Sequence, residues 1–150
     1  MDNKYFELAF TEAKKAYDNN EVPIGCVIVK NDKVIATGHN LKETNNCCIY
    51  HAEIIAIKEA SNYLNNWRLE DCDMYLTLDP CPMCASAIKQ ARIKNVYSAL
   101  NNTDPNNLKI IEMIFLKDNS NPGVEFLSNL YVNKSKSILN SFFDKQRNNK

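Results

Sequence analysis

What most restricts the fold of this chain is the way β-branched runs alternate with stretches of helical period. Residues 25–30 (GCVIVK) and 33–38 (KVIATG) are separated only by Asn31-Asp32, a two-residue hairpin signal. Residues 51–64 (HAEIIAIKEASNYL) are rich in helix formers, and 74–78 (MYLTL) reads as a buried strand. Residues 82–91 (PMCASAIKQA) open on a proline suited to a first helical position, and 96–100 (VYSAL) form another strand. Strands alternating with helices predict an α/β domain of three layers with parallel strands, and the opening hairpin makes the sheet mixed. Ahead of it, residues 3–19 place Phe6, Ala9, Phe10, Ala13 and Tyr17 on one helical face, ended by Glu21-Val22-Pro23. Beyond Asn101 the pattern predicts a short helix at 108–116, an edge strand at 124–127 as the fifth strand, and a last helix at 132–147. That last helix is expected to carry Ile138, Leu139, Phe142 and Phe143 on one face, with the two phenylalanines packed on the sheet.

With 150 residues the chain suits a single domain, 1–150. It has no run of eighteen apolar residues, and its first ten residues, MDNKYFELAF, lack a signal-peptide core, so we expect neither membrane association nor secretion but a cytoplasmic protein. In that compartment six cysteines read as reduced thiols or metal ligands rather than a disulfide framework. With zero net charge, from 18 basic and 18 acidic side chains, bulk electrostatics does not announce a nucleic-acid binder. The charge is uneven, however. Residues 1–75 hold eight Lys/Arg against twelve Asp/Glu, and 76–150 hold ten against six. Lys134, Lys136, Lys145, Arg147 and Lys150 face only Asp144 near the C-terminus, forming either a basic patch or a solvated helix face.

Chemistry concentrates in two places, His51-Ala52-Glu53 at a helix start and Pro80-Cys81 with Cys84 at the next strand-to-helix turn. Cysteines three apart at a helix N-terminus lie near unpaired N–H groups and the positive dipole end, which favours thiolates. With His51 they make one nitrogen and two sulfur donors. Zinc held by three protein ligands keeps a fourth position for water, the arrangement of a catalytic site. Glu53 stands two residues after His51, about 200° around an ideal helix, but in a first turn it still reaches the metal's surroundings. It suits a proton shuttle between water and a leaving amine better than a ligand. Together these residues predict hydrolytic deamination.

The order H-x-E followed by P-C-x-x-C is the signature of zinc-dependent nucleobase deaminases. Within that superfamily, of cytidine/deoxycytidylate-deaminase-like fold, the chain most resembles the bacterial tRNA-specific adenosine deaminases. The likeness covers about residues 5–100: Glu21-Val22-Pro23-Ile24-Gly25, Gly38-His39-Asn40, Trp67-Arg68-Leu69 and Thr77-Leu78-Asp79-Pro80-Cys81 resemble that family's segments. Phe142-Phe143 with Lys145 and Arg147 also resembles its C-terminal ending. The resemblance implies adenosine-to-inosine conversion at the tRNA wobble position by zinc-bound hydroxide, in a homodimer with one zinc per subunit. It implies that Asn40, the Ala52 N–H, Val22 and Pro80 contact the flipped base, and that Lys145 and Arg147 meet RNA phosphates. The chain departs from the family at Cys47-Cys48-Ile49-Tyr50 and at residues 98–105, and those departures motivate an alternative: deamination of a free base or nucleoside, such as guanine or cytosine, on the same zinc site.

Three further alternatives stand beside these. Cys81-x-x-Cys84 alone also suits a redox pair, which has no use for His51 and Glu53. Cys47 or Cys48 as a fourth ligand closes the site and makes it structural. A noncatalytic zinc-stabilised RNA-binding subunit requires the same blocked position. Cys26 and Cys72 read as small apolar residues of strands and His39 as a surface side chain, while Tyr50 and Trp67 fit core or pocket equally.

Overall fold

The computed structural model of the chain describes residues 3–149. After helix α1 (Asn3–Asp18), strands β1 (Gly25–Lys30) and β2 (Lys33–His39) form the expected hairpin. Asn31 and Asp32 both adopt left-handed φ angles, 51° and 61°, as the tight hairpin turn requires. Of the eight described non-glycine residues with positive φ, seven are Asn or Asp. A chain with only three glycines thus places its turns on the side chains that best tolerate that conformation. Helix α2 (Ala52–Leu64) leads to β3 (Cys72–Leu76), antiparallel to β1. Helix α3 (Pro82–Gln90), β4 (Asn95–Ser98), α4 (Pro105–Phe115), β5 (Glu125–Leu127) and α5 (Val132–Asn148) complete the chain. Since β4 runs parallel to β3 and β5 parallel to β4, the five-stranded sheet is mixed as expected, in the order β2-β1-β3-β4-β5.

Alternation along the strands divides the core between two faces. Cys26, Ile28, Met74, Leu76 and Val96 meet α2, α3 and α4 through Ala52, Ala56, Ile88 and Ile111. Val27, Val29 and Tyr75 meet α1 through Tyr5, Phe6 and Phe10. Each large apolar side chain so buried contributes about 1.5–3 kcal/mol of favourable transfer energy. Two glycines set how closely the helices approach. A Cβ on Gly25 would stand 1.9 Å from the Ala9 carbonyl of α1, and one on Gly38 would stand 2.4 Å from the Ala52 carbonyl of α2. The Gly38 approach seats the start of α2 directly against β2.

Several boundaries differ from expectation for identifiable reasons. The strand expected at 74–78 lies two residues earlier. Thr77 leaves the ladder to lock the sheet's end, its N–H donating to the Gly25 carbonyl at 3.2 Å and its hydroxyl accepting from Gly25 N–H at 3.0 Å. Helix α4 begins three residues before its expected start because the Asp104 carboxylate caps Asn106 N–H at 2.9 Å, with Pro105 in the first turn. In α5, Phe142 is buried but Phe143 is 44% exposed. The Phe142 ring lies 6.0 Å from Tyr17 of α1, so α5 rests on α1 rather than on the sheet as expected. Among the described residues no helix is long and apolar enough to cross a membrane.

Candidate metal centre

Two helix starts build the site. His51 is the N-cap of α2 and Cys81 the N-cap of α3, both with extended backbone, and neither side chain caps its own helix. Those side chains turn toward each other instead. His51 Nδ1 lies 3.6 Å from Cys81 Sγ and 3.5 Å from Cys84 Sγ, and the three donor atoms fall within 4.8 Å of one another. Zinc bonds of about 2.0–2.1 Å to nitrogen and 2.3 Å to sulfur at tetrahedral angles require N···S separations of about 3.5–3.6 Å. The triangle therefore fits a zinc ion. A hydrogen bond with Cys84 holds the Cys81 thiol down at about 5 against the opposing effect of burial. The Cys84 thiol is pushed well up by that same bond and by its burial.

Glu53 is 4% exposed. Burial pushes its carboxyl above the usual range, while a hydrogen bond from its own backbone N–H works the other way. Cys81, His51 and Cys84 all act on the Glu53 carboxyl, which sets it beside the donor group despite the angular offset of two helical residues.

Around this group, Asn40 at the end of β2 is 8% exposed. It donates Nδ2–H to the Val22 carbonyl at 3.4 Å and accepts Lys42 N–H at 3.1 Å, so the structure brings Asn40 and Val22 together. Pro80 is buried, and its carbonyl accepts from Asn107 Nδ2 at 3.3 Å. Ala52 N–H belongs to the first turn of α2, where the helix itself offers no acceptor. Cys47 and Cys48 stand outside the donor triangle, against the closed four-ligand alternative. Cys26 and Cys72 are fully buried core residues as expected. Trp67 is 52% exposed with the Arg68 guanidinium 4.3 Å from its ring, a surface position. His39 departs from expectation: it is half-buried, with Nδ1 3.2 Å from Glu12 Oε1.

Lys145 and Arg147 are exposed. Lys145 lies over the Tyr17 ring at 5.3 Å, and Arg147 pairs with Asp144. Gln146 Nε2 donates to Asn20 Oδ1 at 2.6 Å, which sets the last turn of α5 beside the connection from α1 to β1. Lys150 lies outside the described residues. The sequence pattern missed what Glu21 does. Its buried carboxylate accepts Glu43 N–H at 3.0 Å and Thr44 N–H at 2.6 Å, tethering the 41–50 loop that leads into His51. Burial raises the Glu21 carboxyl, but the bonds from Thr44 and Glu43 outweigh it and leave the group below its ordinary value.

Residues 1–100 match the family model of the cytidine and deoxycytidylate deaminase zinc-binding region. The chain is 37% identical over 150 residues to the tRNA-specific adenosine deaminase of Bacillus subtilis strain 168, covering 100% of this chain and 93% of that protein. A solved structure from studies of A-to-I editing by tRNA:A34 deaminases at the wobble position superposes with a TM-score of 0.83 at 36% identity, over 92% of this chain and 100% of that one. Guanine deaminase from Bacillus subtilis superposes with a TM-score of 0.65 at 30% identity, over 96% and 95%.

Proposed function

The chain belongs to the cytidine and deoxycytidylate deaminase family, and from that premise we propose that it is a single-domain zinc enzyme converting adenosine to inosine at the wobble position of tRNA. The carrying observation is the 37% identity to the Bacillus subtilis tRNA-specific adenosine deaminase, which runs through both helix starts and on to α5. His51, Cys81 and Cys84 hold one zinc per subunit. When bound there, zinc supplies a Lewis acid that brings the pKa of a water toward neutrality.

Every other step belongs to the chain. The Glu53 carboxylate takes a proton from the attacking water and passes it to the departing amine. The new bond is C6–O, the broken bond is C6–N, and ammonia leaves. A proton in transit needs an acceptor whose pKa is not far below that of the water, and the burial that raises Glu53 serves this need. Val22, Pro80 and the Ala52 N–H border the base. The Asn40 carboxamide keeps a second N–H and a second lone pair beyond those used on Val22 and Lys42, enough to orient the base edge.

An unpaired adenosine in a loop leaves its stack at little cost, which suits a pocket of this kind. Lys145 and Arg147 extend the contact to phosphates, from an α5 terminus beside the loop that supplies Val22. Met83 of α3 and Ile110 and Met113 of α4, exposed at 37%, 42% and 70%, support a homodimer, since a second copy covering α3 and α4 removes them from water. The proposed compartment is the cytoplasm.

The likeness to guanine deaminase keeps the second reading, a free base or nucleoside as substrate, within reach of one assay. The zinc-loaded protein is given an anticodon stem-loop with adenosine at the wobble position, alongside a panel of free bases and nucleosides. Inosine in the stem-loop with no ammonia from the panel is the expected result. Turnover of a panel member alone replaces the RNA reading with the second one.

A further inference from the structure

Residues 101–149 lie outside the stretch that matches the family model, yet three parts of that region converge on residues 77–81. Ser135 Oγ of α5 donates to the Thr77 carbonyl. Ser128 Oγ, between β5 and α5, donates to Asp79 Oδ1. Asn107 Nδ2 of α4 donates to the Pro80 carbonyl at 3.3 Å. Just before α4, the Leu100 carbonyl accepts Asp79 N–H at 2.9 Å. Asp79, Asn107 and Ser135 are 4%, 7% and 0% exposed, so these bonds are shielded from competing water.

The next residue is Cys81, and the bonding pattern bears on it directly. The Pro80 carbonyl and the Cys81 nitrogen belong to one rigid peptide plane. Holding the carbonyl oxygen from Asn107 fixes that plane and leaves only local rotations to aim Cys81 Sγ. Burial pushes the Asp79 carboxyl above its ordinary range, although it also draws on the Ser98 hydroxyl and the Asn102 N–H.

We infer that Asn107 and the Asp79–Ser128 pair are positioning residues of the metal centre, Asn107 and Ser128 being supplied by the C-terminal third of the chain to fix the turn that presents Cys81 and Cys84. This rests on the reading of His51, Cys81 and Cys84 as ligands. None of the three residues touches metal or substrate in this role. They act as the outer shell that orients ligands at metal sites, where removing one partner changes metal affinity by about 10–100-fold.

The molecule contains a matched control. Asn121 is also 7% exposed and also donates Nδ2–H to a backbone carbonyl, that of Lys89 at 2.9 Å, at the opposite end of α3. The full-length chain is loaded with zinc or with cobalt(II), whose visible absorption reports thiolate ligation and coordination geometry. Metal release to a chelator and thermal melting are then followed for Asn107→Ala, Ser128→Ala, Ser128→Thr and Asn121→Ala. Asn107→Ala and Ser128→Ala are expected to release metal about tenfold faster with an altered cobalt spectrum. Ser128→Thr, which keeps the hydroxyl, is expected to return both toward wild type. Asn121→Ala is expected to melt earlier while keeping wild-type release and spectrum.

Wild-type release and spectra in Asn107→Ala and Ser128→Ala overturn the inference, and so does Asn121→Ala matching them. Ser128→Ala removes one hydroxyl from a half-exposed connection, so it remains a test if Asn107→Ala does not fold. A wild-type protein that takes up no stoichiometric metal instead defeats the ligand reading beneath the inference, and that failure is seen before any variant is made.

Discussion

From α1 to β4 the chain is joined mainly by apolar contact, with Phe6, Ile28, Leu69, Met74, Leu76, Ile88, Ile93 and Val96 all fully buried. From α4 onward the buried apolar residues are Ile111, Phe115 and Phe142, and attachment passes to the side chains of Asn107, Asn121, Ser128 and Ser135. Ile110, Met113, Leu116, Leu127 and Phe143 in this region remain exposed. Apolar burial is strong but non-directional, whereas a hydrogen bond is modest in net energy but fixes geometry. The first region therefore supplies most of the apolar core and the donor triangle, while the second supplies directional bonds to the turn before Cys81 and a surface left exposed.

The sharpest way to break this division is at Glu53. Glu53→Gln is expected to lower turnover by about 10²–10⁴-fold with zinc content unchanged, read by single-turnover kinetics and metal analysis. Turnover within a few-fold of wild type moves the proton transfer to another group. Glu21→Gln tests whether stability resides in the first region even at its polar contacts. It leaves buried N–H groups poorly matched and should cost about 1–3 kcal/mol at neutral pH. Because the folded Glu21 carboxyl lies below its ordinary 4.5, its contribution is fully present above the unfolded value. It fades as the pH falls through the folded one, so wild-type and variant denaturation curves should converge in acid. A difference that persists unchanged in acid removes ionisation from the explanation. The smallest effect belongs to the last helix. Replacing Lys145 and Arg147 by alanine should weaken stem-loop binding several-fold and lower its salt dependence by about 0.7 per lost contact, with turnover at saturation unchanged. An unaltered salt slope takes the end of α5 off the RNA.

Sequence pattern and structure agree where a local rule decides the outcome. Asn31-Asp32 set the hairpin, the apolar spacing in α1 matches the face it buries through Phe6, Ala9, Phe10 and Ala13, and the helix formers of 51–64 form α2. The donor triangle was legible because a cysteine pair at a helix start and a histidine at another have few joint uses, and the structure brings the three donors together. What escaped was set by distant partners. Glu21, Asn107 and Ser128 carry no period, and their importance depends on backbone groups 22 and 27 positions away and, for Ser128, on a carboxylate 49 positions away. Phe143 shows the same limit from the apolar side. It follows Phe142 in sequence, but only one of two adjacent helical residues can face α1.

Strand β5 is only three residues long and is the last to join the sheet. On a ribosome, β4 is complete well before Glu125 is made, and at roughly 5–20 residues per second its outer edge stays bare for a few seconds. During that interval the backbone groups around Val96 and Tyr97 are open to a strand from a neighbouring nascent chain. Placing the covering strand so late in the chain therefore leaves one edge of the sheet unpaired until residue 127 has emerged.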